Sequence, residues 1–154
     1  MRIGCISPAV KHGKIKGSMT LTLTPIPGLP MILPGDNLAD MILYAIQRAG
    51  LKLENGDILV LAQKIVSKAE GRLVNLATVI PSTSALELAG KAEKDPRVME
   101  LVLQESREVL RVRPGSVIVE HRLGFVCANA GIDHSNVAGE GNQEEEWVLL
   151  LPVD

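Results

Sequence analysis

The segment GFVCANAGIDHSNVAGEG, residues 124–141, holds the side chains best suited to metal chemistry in this chain. Asp133 supplies a hard carboxylate oxygen, the type of ligand that magnesium and manganese prefer. Asn136 follows three residues later and could bond a sugar or a phosphate on the same side of a turn. The alternative is an Asx-turn, in which both side chains bond their own backbone. The residue types alone leave both interpretations open.

Three long cations follow the apolar run ILVLA, residues 58–62. They are Lys64, Lys68 and Arg72, and Gln63 directly precedes the first of them. Cations based at the end of a strand can reach phosphate oxygens while the strand fixes their position. The alternative is that they are ordinary solvated side chains beside a turn.

The motif PGLP, residues 27–30, is a third candidate for a binding role. A Pro-Gly turn exposes backbone amides that could brace a nucleotide, although a tight turn between two elements would have the same sequence. The chain contains neither a GxxxxGKS/T motif nor GxGxxG. Neither a P-loop nor a dinucleotide-binding fingerprint is therefore indicated.

Composition excludes several classes of function. The formal charge of −2, the absence of a long basic run and a total of three aromatic residues argue against nucleic-acid binding. No apolar run reaches the roughly 18 residues of a membrane span, and the first residues do not resemble a signal peptide. Cys5 and Cys127 are far apart, which supports neither a zinc site nor a disulfide framework. We therefore expect a cytoplasmic protein that binds neither nucleic acid nor membrane.

The elements that would position these residues can be read from periodicity and capping signals. Alternation predicts a strand over 19–26, and the apolar run 58–62 predicts a buried strand. A stripe of apolar residues predicts a helix over 37–50, with Asp36 or Asn37 at its start and Gly50 at its end.

The second half of the chain predicts two further helices and several strands. Ser84 and Glu87 match a capping box for a helix within 81–94. Asp95 and Pro96 begin a helix that the apolar pattern extends to Arg111.

Strands are predicted within 115–131, as two strands around the turn HRLG, and at 147–153, after a solvated acidic run. Helices and strands mix without strict βαβ alternation, so we predict an α+β domain with an α/β layered domain as the alternative. Residues 1–20 are assigned to an N-terminal extension, and 21–154 to the domain.

Several strings of this sequence, taken in order, resemble the coenzyme F-420:L-glutamate ligases, the gamma-glutamyl ligases of the deazaflavin coenzyme. They are AQKIVSKAEGR, the helical segment 81–111, GFVCANAGIDHSN and LLLPVD. The resemblance runs from about PIPGLP to Asp154, and it leaves out the N-terminal extension.

The resemblance implies a GTP-dependent enzyme that uses manganese or magnesium, with potassium as a further candidate cation. The implied reaction joins L-glutamate to the deazaflavin coenzyme precursor and then extends it by gamma linkages. An acyl phosphate would form first, and the glutamate amine would displace the phosphate.

The resemblance also assigns roles to residues at matching positions. Pro27, Gly28, Leu29 and Pro30 would line the GTP site. Gln63 and Lys64 would contact the nucleotide, Lys68 the phosphates, and Asn136 the nucleotide again. Asp133 would be the metal ligand, and no residue is assigned as a catalytic acid or base.

Family members continue well beyond the match to LLLPVD, so we expect this chain to be a fragment or the product of a split gene. A non-catalytic nucleotide- or deazaflavin-binding module, or a dimerisation module, is the alternative function. A homodimer is expected from the resemblance, and the apolar final strand 147–153 gives a second reason for association.

Overall fold

The computed structural model describes residues 4–6, 21–134 and 147–153. The chain divides into two compact units, Met1–Gly71 and Arg72–Asp154. Every strand pairing in the described residues is antiparallel, and the helices do not alternate with strands in βαβ order. The predicted α+β class is confirmed. Among the described residues, none of the helices has the length and apolar character that crossing a bilayer requires.

The first unit contains a three-stranded sheet and two helices. Its elements are β1 (Gly4–Ile6), β2 (Leu23–Pro25), α1 (Leu38–Arg48), β3 (Ile58–Val60) and α2 (Gln63–Ala69). The strand order is β2-β1-β3, so β1 is the central strand. The sequence analysis assigned these first residues to an extension, because three residues are too few to show a period.

Helix α1 follows the sequence prediction closely. The Asn37 side chain accepts hydrogen bonds from the backbone N–H groups of Ala39 and Asp40, at 3.1 and 3.3 Å. Gly50 follows the helix with φ +65°, a conformation that glycine adopts without strain. The buried stripe of α1 packs into the core of this unit, which is formed by Ile26, Ile32, Ile42, Ala45, Ile46 and Ile65.

A strand forms within 58–62 as predicted, but the prediction that it is buried is wrong. Ile58, Leu59 and Val60 form β3, but they are 47%, 38% and 43% exposed. An edge strand of a small sheet is not covered on both faces, and an apolar run does not distinguish the two situations. Helix α2 begins at Gln63, so the two lysines after the strand lie on a helix.

The second unit contains two sheets and two packed helices. Its elements are β4 (Leu73–Asn75), α3 (Thr83–Ala92), α4 (Pro96–Gln104), β5 (Ser106–Arg113), β6 (Ser116–His121), β7 (Val126–Ala128) and β8 (Trp147–Leu149). β4 pairs with β8, and β5, β6 and β7 form a meander in that order. The two strands predicted around the turn HRLG are β6 and β7. The core contains Leu76, Ala85, Met99, Val102, Val117, Val119 and Val148 among others.

Helix α4 is shorter than predicted. Asp95 caps it and Pro96 is its first residue, but it ends at Gln104, and Ser106–Arg113 is a strand. The spacing of Val109 in the sequence continues the apolar stripe of a helix, but Val109 pairs with Val119 of β6. Cross-strand pairing therefore overrides a local pattern that fits a helix.

The final strand is also placed differently from the expectation. Val148, Leu149 and Leu150 are buried, because β8 pairs with β4 and lies against the core. Residues 148–150 therefore give no exposed apolar surface, whereas Val153, at the end of the predicted strand, is 45% exposed. The expected homodimer stays a prediction. The acidic run before it lies outside the described residues.

The cap of α3 yields the first prediction. Ser82, rather than Ser84, is the N-cap, and its hydroxyl accepts from the N–H of Ala85. The Ser82 N–H donates to Glu100 of α4 at 2.9 Å, so the carboxylate partner comes from another helix and not from Glu87.

We expect Ser82→Ala to lower the free energy of unfolding by about 1 kcal/mol, since it removes the cap. Ser84→Ala is the matched control and should leave stability unchanged or slightly raised, because alanine favours an exposed helix position. Urea denaturation followed by circular dichroism measures both. A larger loss in Ser84→Ala would restore the capping box predicted from sequence.

Candidate functional site

The polar segment before Asp133 begins with an unusual backbone turn. Asn129, Ala130 and Gly131 have φ of 50°, 51° and 68°, three consecutive residues in the left-handed region. Non-glycine residues rarely adopt it, at a cost of about 1–2 kcal/mol each. The Asn129 side-chain carbonyl accepts from the Val117 N–H at 3.0 Å, and Ala130 is fully buried. Packing and this hydrogen bond therefore hold the turn in a strained conformation.

Gly131 makes the closest approach in this turn. A Cβ placed on it would lie 2.5–3.0 Å from three side-chain carbons of Leu151. At position 131 the structure supplies a packing reason for glycine, because Leu151 occupies the space.

Asp133 is fixed by its main chain. Its N–H donates to the Leu149 carbonyl at 3.0 Å, and its own carbonyl accepts from the Leu149 N–H at 2.9 Å. The residue is half-buried. Asn136, and with it the Asx-turn alternative, lies outside the described residues.

The described residues could supply a divalent metal with a carboxylate ligand but not with a complete set of protein ligands. Within residues 4–6, 21–134 and 147–153, no three His, Cys, Asp or Glu side chains are grouped as metal ligands would be. Magnesium is often held by one or two carboxylates and completed by substrate phosphates and water. Asp133, on a rigid backbone, fits the role of the protein carboxylate in such a site.

The candidate residues of the first unit lie on two elements. Gly28 has φ +80°, and nothing lies within 4 Å of where its Cβ would be, so the turn, not crowding, requires glycine. Pro27 and Pro30 are exposed, and Leu29 packs against the core. Pro27 and Gly28 line a cavity of about 190 Å³ together with Tyr44, Ala45, Arg48 and Ala49.

Helix α2 carries the other three. Lys64 and Lys68 are one turn apart, so they share one side of the helix, and both are half-buried. The Gln63 side-chain amide donates to the hydroxyl of fully buried Ser67 at 2.5 Å. This bond gives Gln63 a structural role that the sequence analysis did not predict.

A buried charge cluster in the second unit was missed by the sequence analysis. The same oxygen of Glu105 lies 2.7 Å from Arg72 Nη2 and 2.8 Å from Arg122 Nε. Arg72 also donates from Nε to the Leu151 carbonyl at 2.9 Å. Arg72, considered from sequence as a phosphate-binding cation, is thus used within the fold. The one signal was Glu105 itself, an acid within the apolar stripe that predicted a helix up to Arg111 and that follows directly on the end of α4.

His121 completes this cluster. It is fully buried, its Nδ1 accepts from the Leu123 N–H, and its Nε2 lies 3.6 Å from the Glu105 oxygen. Its ring stacks on Phe125 with centroids 4.8 Å apart. Burial lowers the pKa of His121, and the Glu105 charge opposes this only in part. Burial alone would raise the pKa of Glu105, but hydrogen bonds from Arg122 and Arg72 bring it below its ordinary value.

The cluster predicts how stability depends on pH. A carboxyl group with a lowered pKa stabilises the fold above about 4.5, and this contribution is lost as the pH falls from there. A histidine with a lowered pKa is kept neutral by folding, so stability also falls as the pH drops below about 6.5. Both effects make acid destabilising, in two successive windows.

We expect Glu105→Gln to cost roughly 3 kcal/mol at neutral pH, because two guanidinium groups lose their counter-charge. It should also flatten the pH dependence below about 4.5. Urea unfolding between pH 4 and 8 measures both, with exposed Glu108→Gln as the control. A Glu105→Gln profile parallel to the parent's would show that this carboxylate does not set the acid limb.

The contact at Gly131 gives another prediction. Gly131→Ala should be destabilised by more than Gly115→Ala, which also has a positive φ but open space around its Cβ. The Gly115 variant measures the conformational cost alone, about 1–2 kcal/mol. The excess in Gly131→Ala then measures the clash with Leu151, and Leu151→Ala in the same background should reduce that excess. Equal losses in the two glycine variants would contradict the contact.

Known proteins match this chain over most of its length. Residues 28–154 match the family F420-0:Gamma-glutamyl ligase. The chain is 45% identical over 119 residues to the coenzyme F420:L-glutamate ligase of Methanothermobacter thermautotrophicus, covering 77% of this chain and 47% of that protein. It is 44% identical over 138 residues to the ligase of the same name from Methanopyrus kandleri, covering 90% and 50%.

The Archaeoglobus fulgidus protein of that name is 40% identical over 136 residues, covering 88% of this chain and 50% of that protein. The chain thus spans about half the length of these relatives. The resemblance seen in the motifs is confirmed by matches that include both the lysine helix and the strained turn. The chain belongs to the F420-0:gamma-glutamyl ligase family.

Proposed function

We propose that this chain acts in the GTP-dependent ligation of L-glutamate to the deazaflavin precursor of coenzyme F-420, with manganese or magnesium. The observation that carries the proposal is the family match over 28–154, together with relatives whose printed name is coenzyme F420:L-glutamate ligase. We infer the nucleotide, the metal and the course of the reaction from the resemblance to the ligase family.

The chemistry of the reaction requires activation of a carboxylate. An ionised carboxylate is a poor electrophile, so one of its oxygens would first attack the γ-phosphorus of GTP, forming an acyl phosphate and releasing GDP. The amine of glutamate would then attack the acyl carbon. The carbon–oxygen bond to phosphate would break, phosphate would leave, and the amine would lose a proton. A divalent metal would neutralise part of the charge on the transferred phosphoryl group.

The role of Asp133 is supported by the rigidity of its backbone. Ligands of a metal site work best when the surrounding structure fixes them. Asp133 is held to Leu149 by two hydrogen bonds, and it lies two residues after the turn 129–131, which Asn129 and Leu151 hold in place. Strained turns of this kind are concentrated at functional sites.

The role of Lys64 and Lys68 is supported by how α2 is anchored. Ile65 and Ser67 are buried and anchor the helix on the two flanks of the side that carries the lysines. The two ammonium groups are therefore based on a fixed helix one turn apart, a spacing that allows both to donate to the oxygens of one polyphosphate.

Calorimetric titration of the chain with GTP, with and without manganese, tests these roles. We expect manganese to strengthen GTP binding, and we expect Asp133→Asn to reduce the affinity to the value measured without metal. Lys68→Ala should weaken binding in both conditions, by about 10- to 100-fold, because a charge-assisted hydrogen bond is lost. Glutamate-dependent release of GDP in the presence of the deazaflavin precursor then measures turnover.

Glu108→Gln is the matched control, since it neutralises another carboxylate of the second unit that is exposed. It should bind GTP and manganese as the parent does. Unchanged manganese dependence in Asp133→Asn would remove Asp133 from the metal site. Metal-dependent GTP binding without turnover would identify this chain as a nucleotide-binding module of the ligase family.

A further inference from the structure

The cavity beside the Pro27–Gly28 turn combines small apolar side chains with a cation. Its wall on α1 consists of Tyr44, Ala45, Arg48 and Ala49. Ala45 and Ala49 are one turn apart and face the turn, where longer side chains would fill the space. The volume of about 190 Å³ is smaller than the roughly 300 Å³ at which small-molecule pockets begin, so it would hold only part of a ligand.

Arg48 supplies the cation of this cavity. Its guanidinium lies over the Tyr44 ring, with Cζ 5.9 Å from the ring centroid. Among the described residues no carboxylate forms an ion pair with it. A guanidinium held against an aromatic face can still donate in its own plane, in the fork geometry that matches carboxylates and phosphates. Both side chains are exposed, and this contact leaves the hydrogen-bond donors of the guanidinium available to a ligand.

A structural explanation accounts for part of these features. Arg48 is in the last turn of α1, where a cation interacts favourably with the helix dipole. That interaction explains a positive charge at this position. It does not explain the open space or the tyrosine beside it. Ala45 also belongs to the core of this unit, so packing explains that small side chain.

The Pro27–Gly28 turn, which also lines the cavity, adds the main chain as a second possible hydrogen-bond donor. Gly28 lines the same cavity, and the position of its missing Cβ is open, so a ligand can approach the backbone there. Pro27 fixes the entry to the turn and has no N–H of its own. The cavity therefore combines an apolar floor with a guanidinium and an accessible main chain.

We infer that this cavity is a subsite for an oxyanion of one of the reactants, either a phosphate of the nucleotide or a carboxylate of glutamate, with Arg48 as its ligand. The inference rests on the proposed function and extends it, because it adds Tyr44 and Arg48 to the PGLP motif. Phosphate and carboxylate present the same planar pairs of oxygens to a guanidinium.

Calorimetric titration with GTP, GDP and L-glutamate separately distinguishes the two sources. We expect Arg48→Ala to weaken one of these reactants by roughly tenfold or more, and Arg48→Lys to weaken it less. A loss for GTP and GDP alike assigns the α- or β-phosphate, a loss for GTP alone assigns the γ-phosphate, and a loss for glutamate assigns a carboxylate. Arg111→Ala, which removes an exposed arginine of the second unit, is the matched control.

A second variant tests the cavity without removing the charge. Ala49→Leu fills the space beside Arg48, so it should weaken the same reactant while the midpoint of thermal unfolding is kept or raised. Unchanged affinities for all three reactants in both Arg48→Ala and Ala49→Leu would overturn the subsite. If Asp133→Asn and Lys68→Ala still weaken GTP binding in that case, the proposed function stands without it. If the parent chain binds none of GTP, GDP and L-glutamate, both the subsite and the proposed function are overturned.

Discussion

The backbone pairing of Leu149 with Asp133 is the interaction on which the second unit's candidate site depends. Leu149 is also paired with Leu73 of β4, so one buried residue joins the polar segment to a strand. The next two residues continue the connection. The Leu150 N–H donates to the Arg72 carbonyl, the Leu151 carbonyl accepts from Arg72 Nε, and the Leu151 side chain lies against Gly131. The position of Asp133 is therefore set by residues 149–151 and their neighbours, not by its own loop alone.

Arg72 links this strand to the buried cluster around Glu105. A carboxylate that is nearly buried loses hydration, and the attraction of neighbouring charges offsets that loss only if the geometry is good. Here two guanidinium groups lie on one oxygen at 2.7 and 2.8 Å. Arg122 also donates its backbone N–H to the Glu105 carbonyl. The cluster thus connects the start of β4, the end of α4 and the turn after β6, and its main effect is to fix these ends relative to one another.

How much the sequence could predict depends on whether a feature is local. The caps at Asn37 and Asp95, the first turn of α4 and the strands around HRLG were predicted, because each is determined by neighbouring residues. The end of α4 was not predicted, since Val109 suits a helix stripe and a strand equally, and its partner Val119 decides.

The capping box predicted for α3 was wrong for a similar reason. The carboxylate that accepts from the Ser82 N–H belongs to Glu100, 18 residues away. Within the candidate site, Asp133, Lys64 and Lys68 were identified from motifs that resemble those of the ligase family. The Glu105 cluster joins residues 72, 105, 121 and 122, which only the fold brings together.

The fold gives a structural reason for two residues of the turn before Asp133. Asn129 is required because its side chain bonds the Val117 N–H, and Gly131 because Leu151 leaves no room for a Cβ. At Asp133 the two hydrogen bonds to Leu149 come from the main chain, and almost any residue could make them. These bonds set the position of residue 133 whatever its side chain. On α2 the buried residues Ile65 and Ser67 fix the backbone that carries Lys64 and Lys68. The proposed chemistry on an anionic, metal-bound substrate asks the fold to keep each of these backbones in place within its own unit.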